Sequence, residues 1–434
     1  MSSPSEDPAE PSPLYRALAP PEPDCTLLEG AATADVVVVG AGFTGISTAL
    51  HLAERGIHAT VLEAKRIGWG ASGRNFGQVV PYFKHDQADV LRHFGPERGE
   101  RLIAAAGSAP DLVFSMIERH RIECAADRKG LIFAAHSPAG QRSLEARTQF
   151  WRERGAPVEM HSGAEAERFI GSPHYAALSL DRRGGTINPM AYVRGLASAA
   201  IARGATIHAE SPVLRLERDG ARWRLTLPRG EVVAGSVVLA TNAYTDRGLW
   251  PGLRESIIPM RSYQNLTRPL GENLRRTILP QGQPLTDTRV LFSGVRMHPD
   301  GRLQASADGP AFSAAGKPSL AKLERRLREI FPQLGPFEWE QHWSGWVAMT
   351  YDQYPHLHEL APGLWAGLGY SGRGIALATL MGREIAARIA GDGEKDLAFP
   401  VTPLRPPAIA PIARSLVECL LAYHRLNDAW RAMR

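Results

Sequence analysis

The fold is decided by residues 35–78, which read DVVVVGAGFTGISTALHLAERGIHATVLEAKRIGWGASGRNFGQ. The opening run, residues 35–39, is almost wholly apolar, which predicts a parallel strand buried on both faces. Gly40, Gly42 and Gly45 follow in a Gly-x-Gly-x-x-Gly pattern. Glycines at this spacing allow a tight turn, the approach of a pyrophosphate to backbone N–H groups and close packing of the next helix. The stretch therefore predicts the beginning of a dinucleotide-binding unit.

The residues after the glycines complete this unit. One face of the predicted helix carries the apolar residues Ile46, Ala49, Leu50 and Ala53. A second strand ends at Glu63, where a carboxylate can accept both hydroxyl hydrogens of an adenosine ribose and repels a 2′-phosphate. A glycine pattern alone is weak, since tight turns occur in other α/β domains. Here strand, glycines, helix, strand and acid occur in order, and we predict dinucleotide binding.

Length and composition limit the class of protein. The 434 residues are too many for one simple core, so two domains are expected. The formal net charge of +5 is spread without a run of like charges, which argues against nucleic-acid partners. Cys25, Cys124 and Cys419 lack the spacing of a metal cluster or a disulfide framework and suit a reducing cytoplasm. Neither a targeting signal nor a membrane-spanning helix is visible, so a cytoplasmic location is expected.

Composition and periodicity predict an α/β fold with α+β insertions. Residues 1–32 are rich in proline and small polar residues and predict an extended arm. A helix over residues 188–203 and a strand meander resume the α/β pattern after a mainly helical insertion, and a second insertion reads as mainly antiparallel. The predicted limits are 33–85, 182–247 and 355–395 for the dinucleotide-binding domain, 86–181 and 248–354 for a discontinuous substrate domain, and 396–434 for a C-terminal tail and helix.

Two further glycine-rich segments belong to the prediction. Residues 70–77 leave the strand that carries Glu63 and should start beside the nucleotide, although a flexible surface loop is the alternative. Residues 369–374 open a helix and therefore offer backbone N–H groups without intrahelical partners. The last helix, over residues 412–433, is expected to pack against its own protein, with membrane contact or a subunit interface as alternatives.

Six segments together carry a resemblance to a known family. They read VVVVGAGFTGISTALHLAERG, VLEAKRIGWGASGRNFGQ, INPMAYVRGLA, VVLATNAYT, HWSGWVAMTYDQYPHL and GLGYSGRGIALATLMGREIA. Over nearly its whole length the chain resembles the D-amino-acid oxidase superfamily of FAD enzymes, and the GWGASGRN segment is most similar to the gamma-glutamylputrescine oxidase branch. The resemblance implies a Rossmann-like FAD-binding domain with a discontinuous, mainly antiparallel β substrate domain.

The resemblance also implies which residues bind FAD. Glu63 would bind the adenosine ribose, the backbone of Val213 the adenine, and residues 369–374 the pyrimidine end of the flavin. The complete implied set is Gly40, Gly42, Phe43, Thr44, Gly45, Glu63, Ala64, Ser72, Arg74, Asn75, Val213, Ala240, Thr241, Gly369, Gly372, Arg373 and Gly374.

The resemblance further predicts non-covalent FAD. Several relatives attach FAD through a cysteine in the segment matching residues 344–350 or through a histidine near the segment matching Asn75. Here Gly345 and Trp346 occupy the first place, and no histidine precedes His85 in the second. Neither attachment is therefore expected.

Side chains with candidate roles in catalysis are few, because a flavin supplies most of the chemistry of amine oxidation. Arg296 could hold a substrate carboxylate bidentately, although Arg302 is as available and a surface position is the alternative. Tyr370 and Trp343 could form walls beside the flavin, or be plain core. Three histidines lie close enough in sequence to suggest a metal site: His342, His356 and His358. They have neither a helical spacing nor a cysteine partner, so we interpret them as surface or hydrogen-bonded residues and expect no metal.

These interpretations together predict an FAD-dependent oxidase of a primary or secondary amine or amino acid. A gamma-glutamylputrescine- or sarcosine-like substrate would transfer a hydride to the flavin, and molecular oxygen would then yield hydrogen peroxide beside an imine or aldehyde. The alternative is an amine or D-amino-acid dehydrogenase that passes electrons to another carrier, with a non-enzymatic dinucleotide-binding module more distant. Neither the particular amine nor the oligomeric state is indicated.

Overall fold

The computed structural model describes residues 13–289, 294–307, 309–312 and 319–431. The strands are β1 (Gly30–Val39), β2 (Ala59–Leu62), β3 (Gln78–Val79), β4 (Leu131–Ala134), β5 (Val158–Ser162), β6 (Ala177–Asp181), β7 (Gly185–Thr186), β8 (Thr206–His208), β9 (Arg215–Asp219), β10 (Arg222–Leu227), β11 (Gly230–Leu239), β12 (Ile257–Thr267), β13 (Leu285–Asp287), β14 (Val295–Met297), β15 (Leu303–Ala307), β16 (Trp339–Thr350), β17 (His356–Ala361) and β18 (Leu364–Leu368). The α-helices are α1 (Pro13–Ala17), α2 (Phe43–Ala53), α3 (Gln87–Phe94), α4 (Pro96–Arg119), α5 (Pro138–Glu153), α6 (Gly163–Ile170), α7 (Pro189–Ala202), α8 (Glu272–Thr277), α9 (Leu320–Ile330), α10 (Gly374–Ile389) and α11 (Ala413–Arg431).

The first sheet contains the predicted dinucleotide-binding unit. Its strand order is β17-β18-β11-β1-β2-β8, and β10 and then β9 extend it beside β11. Strands β18, β11, β1, β2 and β8 run parallel to their neighbours in this group. Val37 and Val38 are fully buried, which confirms a strand covered on both faces. Because parallel strands end at one edge of a sheet, the turns that follow β1, β2, β11 and β18 lie near one another.

The second sheet has the order β16-β12-β15-β14-β13-β4-β6-β5. Its pairs are antiparallel apart from β13 with β4, so a mainly antiparallel second sheet is confirmed. Strands from residues 131–181 and from residues 257–350 join in this one sheet, as expected for a unit built from two insertions. Strands β5 and β6 were absent from the sequence prediction, because each is short and follows a helical stretch.

Helix α4 was assigned to the substrate domain by the sequence prediction, but it does not pack with the second sheet. Its buried residues Leu102 and Ile103 belong to the same apolar core as Met381 and Ile385 of α10. The helix therefore packs on the side of the first sheet, although its residues fall in the first insertion. The exact domain limits stay a prediction.

The described part of the N-terminal arm is held by the core. Tyr15 is buried, and its hydroxyl donates a hydrogen bond to Gln304 Oε1 over 2.8 Å. Leu28 is also buried, and β1 already begins at Gly30. The arm therefore ends slightly earlier than residue 32, because its last residues pair with β11.

Candidate active site

A cavity of about 1130 Å³ opens at the edge where the parallel strands of the first sheet end. Residues after β1, β2, β11 and β18 line one side, and residues of β12, β16 and the segment around β13 line another. Leu416 and Leu420 of α11 lie at its wall and remain exposed. The cavity therefore collects residues from both sheets and from the C-terminal helix.

The glycine turn after β1 places the beginning of α2 at this cavity. Gly42, Phe43 and Thr44 line the wall, and the Phe43 N–H donates to Ser72 Oγ over 2.9 Å. A Cβ at Gly45 would overlap the carbonyl oxygen of Gly40, so Gly45 lets the helix pack against the strand end and does not itself line the cavity. The first turn of α2 thus presents backbone N–H groups to the cavity.

Glu63 lies directly after β2, as the sequence predicted. Its carboxylate accepts hydrogen bonds from the N–H groups of Ala41, over 2.7 Å, and Lys65, over 2.9 Å. Burial raises the pKa of the Glu63 carboxyl, and these donors oppose that shift. The neighbouring wall of the cavity contains Ala64, Val213, Ala240 and Thr241, all members of the predicted set.

The loop over residues 70–77 is fixed by its own side chains, which argues against a flexible surface loop. The Nε of Arg74 donates to the Trp69 carbonyl over 2.7 Å, and its guanidinium carbon lies 4.7 Å from the Trp69 ring centre. The side-chain amide of Asn75 donates to the carbonyls of Ala71 and Ser72. Ser72, Arg74 and Asn75 all line the cavity.

The turn over residues 369–374 is a second helix beginning at the same cavity. Gly369 and Gly372 have φ values of +81° and +86°, which glycine adopts without strain. The Gly369 N–H donates to Asn242 Oδ1 over 3.0 Å, so this glycine supports the turn from behind, while Gly372, Arg373 and Gly374 line the wall. Helix α10 begins at Gly374, and its first N–H groups have no intrahelical acceptors.

Tyr370 joins the two helix beginnings. Its hydroxyl lies 2.6 Å from Thr44 Oγ1, with which it shares a hydrogen bond, and its ring lines the cavity. Burial raises the pKa of the hydroxyl, which therefore stays protonated. Tyr370 therefore lies at the cavity wall, and its role beside the flavin stays a prediction.

Arg296 and Trp343 do not lie at the cavity wall. The Arg296 guanidinium is buried and donates to the Ile187 carbonyl over 3.2 Å and to His298. Trp343 donates from Nε1 to the carbonyl of Arg74 over 2.9 Å and packs on Tyr15. Both support the wall from behind, because their side chains point into the core between the arm and the second sheet.

Arg302 does not line the cavity either. Its guanidinium forms ion pairs with Asp300, over 2.7 Å, and with Glu340, over 2.6 Å. The two arginines suggested by the sequence for a substrate carboxylate are therefore both occupied elsewhere.

Sequence reasoning missed several residues that line the cavity. Five of these are cationic, Lys65, Lys84, Arg147, Arg261 and Arg289, and others are aromatic, Trp69, Phe76, Tyr244, Trp346 and Tyr351. They come from separate elements and share no local pattern. The one available signal was proximity in sequence of Trp69 and Phe76 to the loop over residues 70–77.

The described ranges contain neither a cluster of metal ligands nor a helix that could cross a membrane. There, no three His, Cys, Asp or Glu side chains are grouped as metal ligands require. His342 shares a hydrogen bond with Asn265 over 2.8 Å, and His356 one with Asp352 over 3.0 Å. None of the helices in these ranges combines the length and apolar content that crossing a membrane needs.

Comparison with known proteins gives consistent matches. The family model DAO, described as FAD dependent oxidoreductase, matches residues 35–388. The chain is 31% identical to gamma-glutamylputrescine oxidoreductase of Escherichia coli (strain K12) over 399 residues, which cover 91% of this chain and 93% of that one. Glycine oxidase from Geobacillus kaustophilus has a similar solved structure, with a TM-score of 0.70 at 22% identity over 83% of this chain and 96% of that one. L-proline dehydrogenase from P. horikoshii gives a TM-score of 0.69 at 19% identity, over 84% and 95%.

Proposed function

Because the chain belongs to the DAO family of FAD dependent oxidoreductases, we propose that it is an oxidase that forms hydrogen peroxide. Family membership makes it an FAD-dependent oxidoreductase of the amine and amino-acid type. The proposed substrate is a primary or secondary amine or amino acid, gamma-glutamylputrescine- or sarcosine-like. Its oxidation would yield an imine or aldehyde, with molecular oxygen as the electron acceptor.

One observation carries the proposal: Glu63 and two helix beginnings surround a single cavity. An extended FAD fits this donor set, with its ribose hydroxyls at Glu63 and its pyrophosphate at the first turn of α2. The flavin would then reach the turn over residues 369–374, where α10 begins. When bound, FAD supplies the hydride acceptor. The residues of this chain bind and orient it, and the positive end of α10 would favour negative charge on the flavin edge.

The FAD is proposed to be non-covalent. Gly345 and Trp346 line the cavity, in the segment where the resemblance implies an attaching cysteine in some relatives, and neither side chain can form a bond to the flavin. Acid precipitation of the purified protein should leave yellow flavin in the supernatant. A yellow pellet would contradict the proposal.

The reaction is tested by mixing the FAD-loaded protein with amines, first without oxygen and then with it. The panel contains N-methyl amino acids, gamma-glutamyl amines and simple primary amines. We expect at least one compound to bleach the flavin absorbance, and air to restore it with one hydrogen peroxide per substrate oxidised. Reoxidation by a dye or quinone but not by oxygen would instead establish a dehydrogenase. This alternative is kept because the fold is shared with the structure of a dehydrogenase.

A further inference from the structure

Three cationic side chains come together at the cavity although they are far apart in sequence. Lys84 follows β3, Arg147 lies on α5, and Arg373 directly precedes α10. The guanidinium carbons of Arg147 and Arg373 lie 4.9 Å and 5.9 Å from the ring centre of Tyr82. That of Arg147 also lies 4.4 Å from the Phe133 ring. Aromatic rings therefore hold the guanidinium groups in place.

These three side chains, named here the cation cluster, have no acidic partner in the part of the chain that the structure describes. No ion pair or acidic hydrogen-bond partner involves Lys84, Arg147 or Arg373 there. The Nε of Arg373 is buried and lacks any hydrogen-bond acceptor among the described residues. Asp287, the acid from the second sheet at the cavity wall, is already paired with Arg289.

The charges in the cluster also act on one another. Burial and the charge of Arg373 lower the pKa of Lys84 to about 8, and burial and Arg147 lower the pKa of Arg373. Lys84 is surrounded by protein atoms, which desolvates its ammonium group, but its side chain keeps accessible surface at the cavity wall, where a ligand can reach it. Like charges held together without counter-ions repel, and a negatively charged ligand relieves this repulsion.

We propose that the cation cluster binds two carboxylates of the amine substrate. This inference rests on the proposed function and narrows its substrate class to sarcosine-like secondary amines and amino acids that carry a second carboxylate. It excludes gamma-glutamylputrescine, which has one carboxylate and two amines. An amine brings one positive charge of its own, so an amino acid with one carboxylate is neutral overall and leaves the charge of the cluster uncompensated. A second carboxylate gives the ligand a net negative charge, and guanidinium groups bind carboxylates with charge-assisted hydrogen bonds. Diamines without carboxylates would be repelled.

The test measures binding to the FAD-loaded protein of three unreactive ligands of equal length. Glutarate has two carboxylates, glutaramate has one carboxylate and one amide, and glutaramide has none. Affinity is read from calorimetry and from the change in flavin absorbance. We expect glutarate to bind about ten- to hundredfold more tightly than glutaramate, the range for a hydrogen bond to a charged group. Glutaramide should bind more weakly still.

Variants locate the effect in the cluster. Lys84→Met and Arg147→Met should each reduce the preference for glutarate to below about threefold, and Lys84→Arg should retain it. The matched controls Lys129→Met and Arg325→Met alter cations whose side chains are 58% and 73% exposed, and should leave the preference unchanged. Arg147→Gln serves as a second neutral variant, with the same expected loss of preference, if Arg147→Met fails to fold.

Several results would overturn the inference. Equal affinity for glutarate and glutaramate would do so, as would an undiminished preference in both Met variants. Loss of FAD with unchanged ligand preference would assign the cluster to the cofactor. Oxidation assays separate this failure from a failure of the proposed function. If N-methylglutamine is oxidised as fast as N-methylglutamate, only the carboxylate inference is overturned. If no amine is oxidised, the proposed function is overturned.

Discussion

At the Glu63 end of the cavity the glycine turn, the first N–H groups of α2 and the carboxylate all come from residues 40–63, whereas the cation cluster is assembled from residues 84, 147 and 373. The first end consists of backbone N–H groups, one carboxylate and glycines that admit close approach. The second consists of long side chains held by aromatic rings. The local end suits the proposed cofactor, and the assembled end suits the proposed substrate.

This difference has consequences for substitution. The Glu63 end depends on backbone geometry, so its glycines should tolerate no added side chain. The cation cluster depends on charge, so its residues should tolerate exchange for another cation but not for a neutral chain of similar size. Cofactor retention and ligand preference should therefore respond to different sets of variants.

The largest effect is expected for Gly45→Ala. The added Cβ would overlap the Gly40 carbonyl oxygen and force α2 away from the end of β1. We expect the purified variant to lack flavin and its free energy of unfolding to fall by about 1–3 kcal/mol or more, measured by the flavin-to-protein absorbance ratio and by denaturant unfolding. Gly271→Ala is the control, because no described atom lies within 4 Å of the added Cβ. A Gly45→Ala variant with full flavin content would disprove the packing at this turn.

The next largest effect is expected for Glu63→Gln. The substitution preserves the shape but replaces a charged acceptor, and a hydrogen bond to a charged group contributes about 1.5–3 kcal/mol. FAD should therefore dissociate about ten- to hundredfold more readily, as measured by titration of the flavin-free protein. Glu359→Gln, at an exposed position on β17, should leave the affinity unchanged. Unaltered FAD affinity in Glu63→Gln would refute the ribose assignment.

A smaller effect, on the affinity for glutarate at the cation cluster, is expected from a change of pH. The lowered pKa of about 8 means that Lys84 is charged below pH 8 and loses its charge as the pH rises through that value. The carboxylates of glutarate are ionised throughout, so its affinity should fall roughly three- to tenfold between about pH 7 and pH 9. The other groups of the cluster are the guanidinium groups of Arg147 and Arg373, and burial keeps the nearby hydroxyl of Tyr82 protonated by raising its pKa.

Two variants check the origin of this pH dependence. Lys84→Met should bind glutarate weakly at every pH, and Lys84→Arg should bind it tightly without a change near pH 8, because arginine stays charged. An unchanged transition near pH 8 in both variants would assign it to another group.

The smallest effect on ligand binding is expected for Arg296→Met. Its guanidinium is buried behind the wall against the Ile187 carbonyl and His298. Glutarate affinity should change less than about twofold, while the lost hydrogen bonds lower the free energy of unfolding by about 1–3 kcal/mol. A tenfold loss of glutarate affinity with unchanged unfolding would restore Arg296 as the carboxylate ligand.

The same contrast explains which features were predictable from the sequence. Strand β1, the glycine turn, α2 and Glu63 were predicted, because each depends on residues close in the chain. The beginning of α10 and helix α7 were predicted for the same reason. Lys84 and Arg147 were missed because only the arrangement of the two sheets brings them together, and no local pattern marks them.

Arg296 illustrates the opposite error. A strand position predicts that a side chain faces one side or the other of a sheet, but not what covers that side. In the structure the arm residue Tyr15 covers it, with its ring centre 5.8 Å from the guanidinium carbon of Arg296. The packing of the arm at this place was not predictable, because a composition rich in proline and small polar residues predicts only an extended arm.

In the proposed complex one cavity holds FAD between Glu63 and the α10 turn and the carboxylates of the substrate at the cation cluster. A crystal structure of the FAD-loaded protein with glutarate tests both parts at once. We expect the adenosine ribose within hydrogen-bond distance of Glu63 and the two carboxylates of glutarate in contact with Lys84, Arg147 and Arg373. FAD bound in another orientation, or glutarate bound away from these three side chains, would contradict it.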